Sequence, residues 1–343
     1  MTAIATATDP VRAAWSLLKE ERARYEEALD GALAPQDRYL TDLERHTYRA
    51  GKQVRPLLLL LAGRMVRPAG WPGELPQKAI QAAVSLEMLH VATLIHDDIV
   101  DQASQRRGEA SIQAARGVET ALLVGDLQFI QAIRVFAASI DAERDLGLIR
   151  QVLDIGFQIC CGELDEMEAT PLASFEELRR RYLRTVDRKT ASLFGLSCEV
   201  GATLGGGRSR ASLLLSQYGR YLGQAFQIMD DLFDLVQTAD QAGKPPCADL
   251  ARRRWTLPIV NAVEELGADH LAARIMAGEP AEADTIASAA SDIAGTRGFQ
   301  DAYGTARLLA IQARAHLEPF PPGPVSDALG SLAQYVVDRG FDR

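Results

Sequence analysis

The chain has 343 residues, 47% of them hydrophobic, and 37 Lys+Arg against 46 Asp+Glu leave a net charge of −9. That acidic balance argues against a nucleic-acid partner, whose phosphates favour a basic surface, but leaves room for small phosphorylated substrates. Length alone permits two ordinary domains or one large one.

The first eight residues are expected to be loosely ordered, and MTAIATATDP has neither the basic nor the apolar region of a signal peptide. Asp9-Pro10 reads as an N-cap followed by a first helical residue, opening an amphipathic helix over 11–33. A second helix is expected over 35–50, stopped by Gly51. Gly51-Lys52-Gln53-Val54-Arg55-Pro56 is a loop feeding a third helix, with Pro56 in its first turn. The longest aliphatic run, Leu57 to Ala62, falls far short of the roughly 20 residues a membrane span needs, so no transmembrane segment is expected. After a Pro/Gly loop at 67–73, residues 77–102 are apolar nearly all round, the mark of a helix buried on most sides.

Further helices are expected over 118–139, 143–168, 174–203 and 208–237, the last again apolar on most faces. Gly243-Lys244-Pro245-Pro246 breaks the chain, and shorter helices follow over 257–266, 268–277, 281–295, 299–317 and 326–339. No strand alternation, long linker or repeat of 20–50 residues is visible. The expectation is one all-α domain over 9–343, a large antiparallel helical bundle. Four cysteines (Cys160, Cys161, Cys198, Cys247) without a C-x-x-C pair read as the thiols of a cytoplasmic protein.

Two acidic stretches stand out: Asp97-Asp98-Ile99-Val100-Asp101 and Asp230-Asp231-Leu232-Phe233-Asp234. On a helix the three acids of each fall within about 100° of arc. A solvated helix end is the plain alternative, and three features oppose it. The helices are otherwise apolar, the acids sit at C-terminal ends where the helix dipole is already negative, and like charges crowd within one turn. Two such clusters call for a cation. All-oxygen donors without Cys or His spacing suit magnesium or manganese rather than zinc, and the calcium loop of an EF-hand is absent. His96 adjoins Asp97 in sequence but points about 100° away on a helix. Since magnesium takes one or two carboxylates and completes its shell with substrate phosphates, the two clusters predict a diphosphate held between two helix ends.

Cations should then converge on it. Arg106-Arg107 follow the first motif, Lys244 follows the second, and Lys189-Thr190 interrupt a third apolar helix. Each taken singly could be a surface side chain with its stem lying on apolar neighbours. Lys52 and Arg55 precede a helix whose start leaves backbone N–H groups available, a natural anion site.

Together these stretches resemble the trans-isoprenyl diphosphate synthases of the polyprenyl synthetase family. The match runs through GKQVRP (51–56), LHVATLIHDDIVDQASQRRG (89–108), GD (125–126), KT (189–190), GQAFQIMDDLFD (223–234), GKP (243–245) and DLARRRWTLP (249–258). The resemblance implies an isoprenoid-synthase bundle around a central cavity. It also implies a magnesium-dependent, homodimeric prenyltransferase joining an allylic diphosphate to isopentenyl diphosphate. By the same resemblance, Asp97, Asp101 and Asp230 are ligands of three magnesium ions, supported by Asp98 and Asp234. Arg106, Lys189, Thr190, Gln227 and Lys244 are expected at the allylic diphosphate, and Lys52, Arg55, His90 and Arg107 at isopentenyl diphosphate. The chain departs from the pattern at Gln53 (usually Arg), at Ala110 (commonly Pro), at Cys247 (usually Gly) and at Arg252-Arg253-Arg254 (usually Glu-Gly-Lys). Arg254 keeps the lysine's charge.

The product is expected to grow along the buried helix away from Asp97. Thr93 and Ala92, one turn upstream, lie roughly 6–7.5 Å along the axis. Short-chain members of the family carry an aromatic side chain at this depth. Here both are small, and Leu89 and Met88 below them are a partial floor, so the expectation is a long-chain product. A phenylalanine on another helix (Phe129, Phe136 or Phe157) closing the channel earlier would instead give a farnesyl- or geranylgeranyl-length product. A class I terpene cyclase, or a non-catalytic subunit of a heteromeric synthase, accounts less well for the paired acidic motifs and the retained cations.

Overall fold

The computed structural model of the chain describes residues 9–68, 71–106, 108–141, 145–167, 174–237 and 247–338. The expectations for residues 1–8, Arg107 and Lys244 lie outside these.

The chain begins with α1 (Pro10–Ser16), capped by the Asp9 carboxylate accepting from Val11 N at 2.9 Å. α2 (Lys19–Leu33) is a separate helix, so the single helix expected over 11–33 is two. The break falls where Leu18, turned into the core at 1% exposure, leaves helical geometry. The helix expected over 35–50 shortens to α3 (Asp42–Arg49), whose start is a capping box between Thr41 and Glu44. α4 (Val54–Met65) leads to α5 (Gln77–Val100), the first of the two buried helices.

Beyond α5 the structure corrects the all-helical reading in one small respect. Gln105–Arg106 (β1) and Glu109–Ala110 (β2) form a two-residue antiparallel ribbon, too short for any alternation to register in sequence. Next come α6 (Ile112–Arg116), α7 (Val118–Ser139), α8 (Leu146–Met167) and α9 (Phe175–Val186). α9 runs through a π-helical turn, Asp187–Ala191, into α10 (Ser192–Leu204), splitting the helix expected over 174–203. α11 (Ser209–Val236) is the second buried helix. α12 (Ala248–Ala251), α13 (Leu257–Leu266), α14 (Leu271–Met276), α15 (Ala283–Ala294), α16 (Arg297–Ala315) and α17 (Pro324–Asp338) complete the described chain.

α5 packs along α7 and touches α2, α4 and α10, while α11 lies against α10, α16, α17 and the π turn. Buried apolar residues from Val11 to Val337 form one continuous cluster. The α5–α7 seam is close: Ser85 Oγ donates to the Ala132 carbonyl at 2.8 Å, and the His96 ring lies over Gly125. A Cβ at Gly125 would stand 2.3 Å from His96 Nε2, so glycine alone admits that ring. By length and composition α5 and α7 could each cross a membrane, but 72% of the α5 window is buried within the protein, as a core helix would be.

Candidate active site

Both acidic motifs end buried helices. Asp97, Asp98 and Asp101 lie on the last turn and C-cap of α5, and Asp230, Asp231 and Asp234 on the last two turns of α11. Two chains of contacts run from them: the first ties the second motif to the π turn, and the second joins the two motifs. The first runs through the π turn: Thr190 Oγ1 meets Gln227 Oε1 at 2.8 Å, and Gln227 Nε2 donates to Asp231 Oδ1 at 2.9 Å. The second runs through α12. Arg254 pairs with Asp101 and stands 3.8 Å from Asp249, whose backbone N–H donates to Asp234 Oδ2 at 2.9 Å.

Each first-motif acid has its own surroundings. Asp98 is buried and gripped by Arg106, whose Nε lies 2.8 Å from both carboxylate oxygens. The β1–β2 ribbon is what returns Arg106 to that position. Asp101 is paired with Arg254 and with Arg252 Nη1 at 3.2 Å. Burial pushes the Asp97 carboxyl up to about 6 despite Lys189 and Arg106 nearby, with Glu163 and Asp101 adding to the rise.

Lys189 is held by Glu163 at 2.5 Å and Glu166 at 2.8 Å. These acids, with nearby Asp97, raise its pKa against the effect of burial. The π turn aims Lys189 at α8, which comes close because residue 162 is glycine: a Cβ there would meet Lys189 N at 2.8 Å. Asp231 is fully enclosed and accepts from Tyr182 Oη at 2.5 Å; burial and then Asp249 drive its pKa well up.

Lys52 and Arg55 flank the start of α4. Lys52 Nζ bonds Tyr335 Oη and lies 4.8 Å from that ring's centroid, and the Arg55 guanidinium lies 4.8 Å from the centroid of Phe194. His90 is half-buried on α5, its carbonyl accepting from Thr93 Oγ1 at 2.7 Å. The residues expected to set product length divide by face. Thr93 is half-buried and lies about 40° from Asp97 around the helix, with His90 on the same stripe. Ala92 is fully buried and lies about 140° from Asp97, on the stripe of Ser85 and His96 that meets α7. Met88 and Leu89 are also buried. Phe157 is 67% exposed and points away from the interior of this chain, whereas Phe136 is buried on α7.

Sequence reading missed Glu163, Glu166, Tyr182 and Asp249. The acids stand on amphipathic or charged stretches, where only tertiary packing reveals that they face the cations. Among the described residues, no group of three or more His, Cys, Asp or Glu side chains is gathered to hold a metal ion by itself.

A polyprenyl synthetase family model matches residues 37–293, three-quarters of the chain. The chain belongs to the polyprenyl synthetase family. It is a prenyltransferase with the all-α isoprenoid-synthase fold. It is 31% identical to heptaprenyl diphosphate synthase component 2 of Geobacillus stearothermophilus over 96% of this chain and 99% of the relative. It is also 31% identical to the short chain isoprenyl diphosphate synthase of Methanothermobacter thermautotrophicus, over 84% of this chain and 86% of that one. The solved polyprenyl synthase of Caulobacter crescentus, complexed with calcium and isoprenyl diphosphate, superposes with a TM-score of 0.85 at 26% identity, covering 96% of this chain and 98% of that one.

Proposed function

We propose that this chain condenses an allylic diphosphate with isopentenyl diphosphate, head to tail, to give a long all-trans polyprenyl diphosphate, and that the reaction needs magnesium. The observation that carries the reading is that Arg106 and Arg254 pair with acids of the first motif, with Lys189 beside Asp97, while Arg254 is linked through Asp249 to Asp234 of the second.

Asp97, Asp101 and Asp230 would hold magnesium, about three ions with the substrate diphosphate, with Asp98 and Asp234 in support. Their donors are all oxygen, and the raised Asp97 carboxyl marks a buried acid that nearby cations leave under-compensated, which fits a hard divalent ion. Because no protein-only cage exists among the described residues, substrate oxygens would complete the shell. When bound, magnesium supplies charge that stabilises the departing diphosphate.

Arg106, Lys189, Thr190 and Gln227, with Lys244 and Arg254, are assigned to the allylic diphosphate. There the positive charge of the Arg and Lys side chains, with the hydroxyl of Thr190 and the amide N–H of Gln227 as neutral donors, favours the leaving group where charge develops. Lys52, Arg55, His90 and Arg107 are assigned to isopentenyl diphosphate. The apolar walls of α5 and α11 keep water from the allylic cation. The described site shows no dedicated base, and departing diphosphate oxygen can take the proton. Thr93, rather than a large aromatic, one turn below Asp97 supports a long product.

The four cysteines are unpaired thiols, which supports a cytoplasmic enzyme. The exposed apolar side chains of α7 and α8, among them Leu123, Ile130, Phe157 and Leu164, support a homodimer joined along that face.

The test is incubation of the purified protein with magnesium, isopentenyl diphosphate and allylic primers of increasing length, with products read by mass spectrometry. The expected result is linear polyprenyl diphosphates, absent when magnesium is chelated and in Asp97→Ala and Asp230→Ala. A cyclic hydrocarbon without elongation, or near-normal turnover in both variants, would overturn the proposal.

A further inference from the structure

The turn Arg252-Arg253-Arg254 follows α12 directly and does something that its charge alone does not explain. Arg253 has φ +58°, the left-handed region that favours glycine, and its Nη2 donates to the Gly278 carbonyl at 2.9 Å, just beyond the end of α14. That anchor holds a backbone shape costly for a side-chain-bearing residue, and it presents Arg252 and Arg254 to the same acid. Arg254 takes Asp101 Oδ1, Arg252 Nη1 approaches Asp101 Oδ2 at 3.2 Å, and Arg252 Nη2 donates to the Asp101 carbonyl at 2.7 Å. Both carboxylate oxygens and the terminal carbonyl of α5 are thus engaged by guanidinium groups.

The two arginines are not equivalent. Arg254 is 18% exposed and shared with Glu166 and Asp249, so it stays charge-compensated if Asp101 turns away. Arg252 is 36% exposed and can pass into water at small cost. A divalent ion on Asp101 would share each carboxylate oxygen with a guanidinium already there, and the like charges repel, so Arg252 competes with it.

We propose that Arg252 is a latch on Asp101, a positioning residue that competes with the divalent ion and so sets how tightly this protein binds metal before substrate arrives. This rests on the assignment of Asp101 as a metal ligand. In the latched state Arg252 caps the C-terminus of α5, where a cation is favoured by the helix dipole. It thereby ties the arm that follows the second acidic motif to the first motif. Metal binding exchanges that tie for a metal–carboxylate bond and releases Arg252 to solvent.

The experiment measures Mn2+ binding to the full chain, without substrate, by electron paramagnetic resonance and calorimetry. It compares wild type with Arg252→Ala, Asp101→Asn and the double variant, each checked by circular dichroism for an intact fold. Removal of one partly exposed charge-assisted contact and one hydrogen bond should tighten Mn2+ binding about three- to tenfold in Arg252→Ala. Asp101→Asn should weaken it, and Arg252→Ala should have no effect in the Asp101→Asn background, as a double-mutant cycle requires. Unchanged or weaker binding in Arg252→Ala, with Asp101→Asn still weakening it, would overturn the latch and leave the metal site standing. An equal gain from Arg252→Ala in both backgrounds would overturn the latch as well. No loss in Asp101→Asn would instead remove the assignment on which the latch rests.

Discussion

Thr93 and Ala92 are adjacent, small and one turn below the first acidic motif, yet the structure predicts opposite outcomes for enlarging them. Thr93 is four residues from Asp97, about 6 Å down the axis and about 40° around it, so a phenylalanine there would project onto the same stripe as the reacting end of the chain. Ala92 is turned about 100° further, into the seam where Ser85 bonds the Ala132 carbonyl and His96 fills the space above Gly125. Ala92 is fully buried, and overpacking such a position with a ring typically costs about 1–3 kcal/mol. Thr93→Phe should therefore shorten the product to one or two additions beyond a short primer with little change in Tm. Ala92→Phe should lower Tm and alter product length less. Products from isopentenyl diphosphate and a labelled allylic primer, separated by chain length and paired with thermal melts, distinguish the two. Full-length product from Thr93→Phe, or a shortened product from Ala92→Phe at unchanged Tm, would refute the division of faces.

Other expectations follow from single contacts. Asp97 titrates at about 6 rather than in the ordinary carboxylate range, so its neutral form is the one the metal-free fold favours. The stability this contributes is complete below the unfolded value and is lost as pH rises through about 6. In chelator, Asp97→Asn should gain Tm relative to wild type between about pH 4.5 and pH 7, and a gap that does not change with pH would contradict the burial argument. Removing the Tyr182 hydroxyl takes a 2.5 Å hydrogen bond from enclosed Asp231. Tyr182→Phe should cost about 1–3 kcal/mol, visible as a lower denaturation midpoint, and no change would mean that the pair contributes nothing net. Phe157→Asp combined with Leu123→Asp should convert the proposed dimer to a monomer by light scattering, since both side chains are 67% exposed on the α7–α8 face. A dimer that survives both would move the interface elsewhere.

Much of this protein was determined by local sequence. Long apolar segments specified α5 and α11 because a helix without a polar face has to be buried. The acids at their ends announced a cation because like charges at a negative helix terminus are unfavourable without one. Asp9-Pro10 marked a helix start through a hydrogen bond that spans only three residues, whereas the Thr41–Glu44 capping box that starts α3 was recognised only in the structure. What tertiary structure alone decided are relations between residues far apart in the chain. Glu163 and Glu166 became partners of Lys189 only when a π turn met α8 at Gly162. Thr93 and Ala92, neighbours in sequence, differ in burial only through the packing of the folded chain. Arg252, a surface charge by every local measure, reached Asp101 across 151 positions. Periodicity reports which face of a helix is apolar, but not which element comes to cover that face, and the chemistry here depends on the second question.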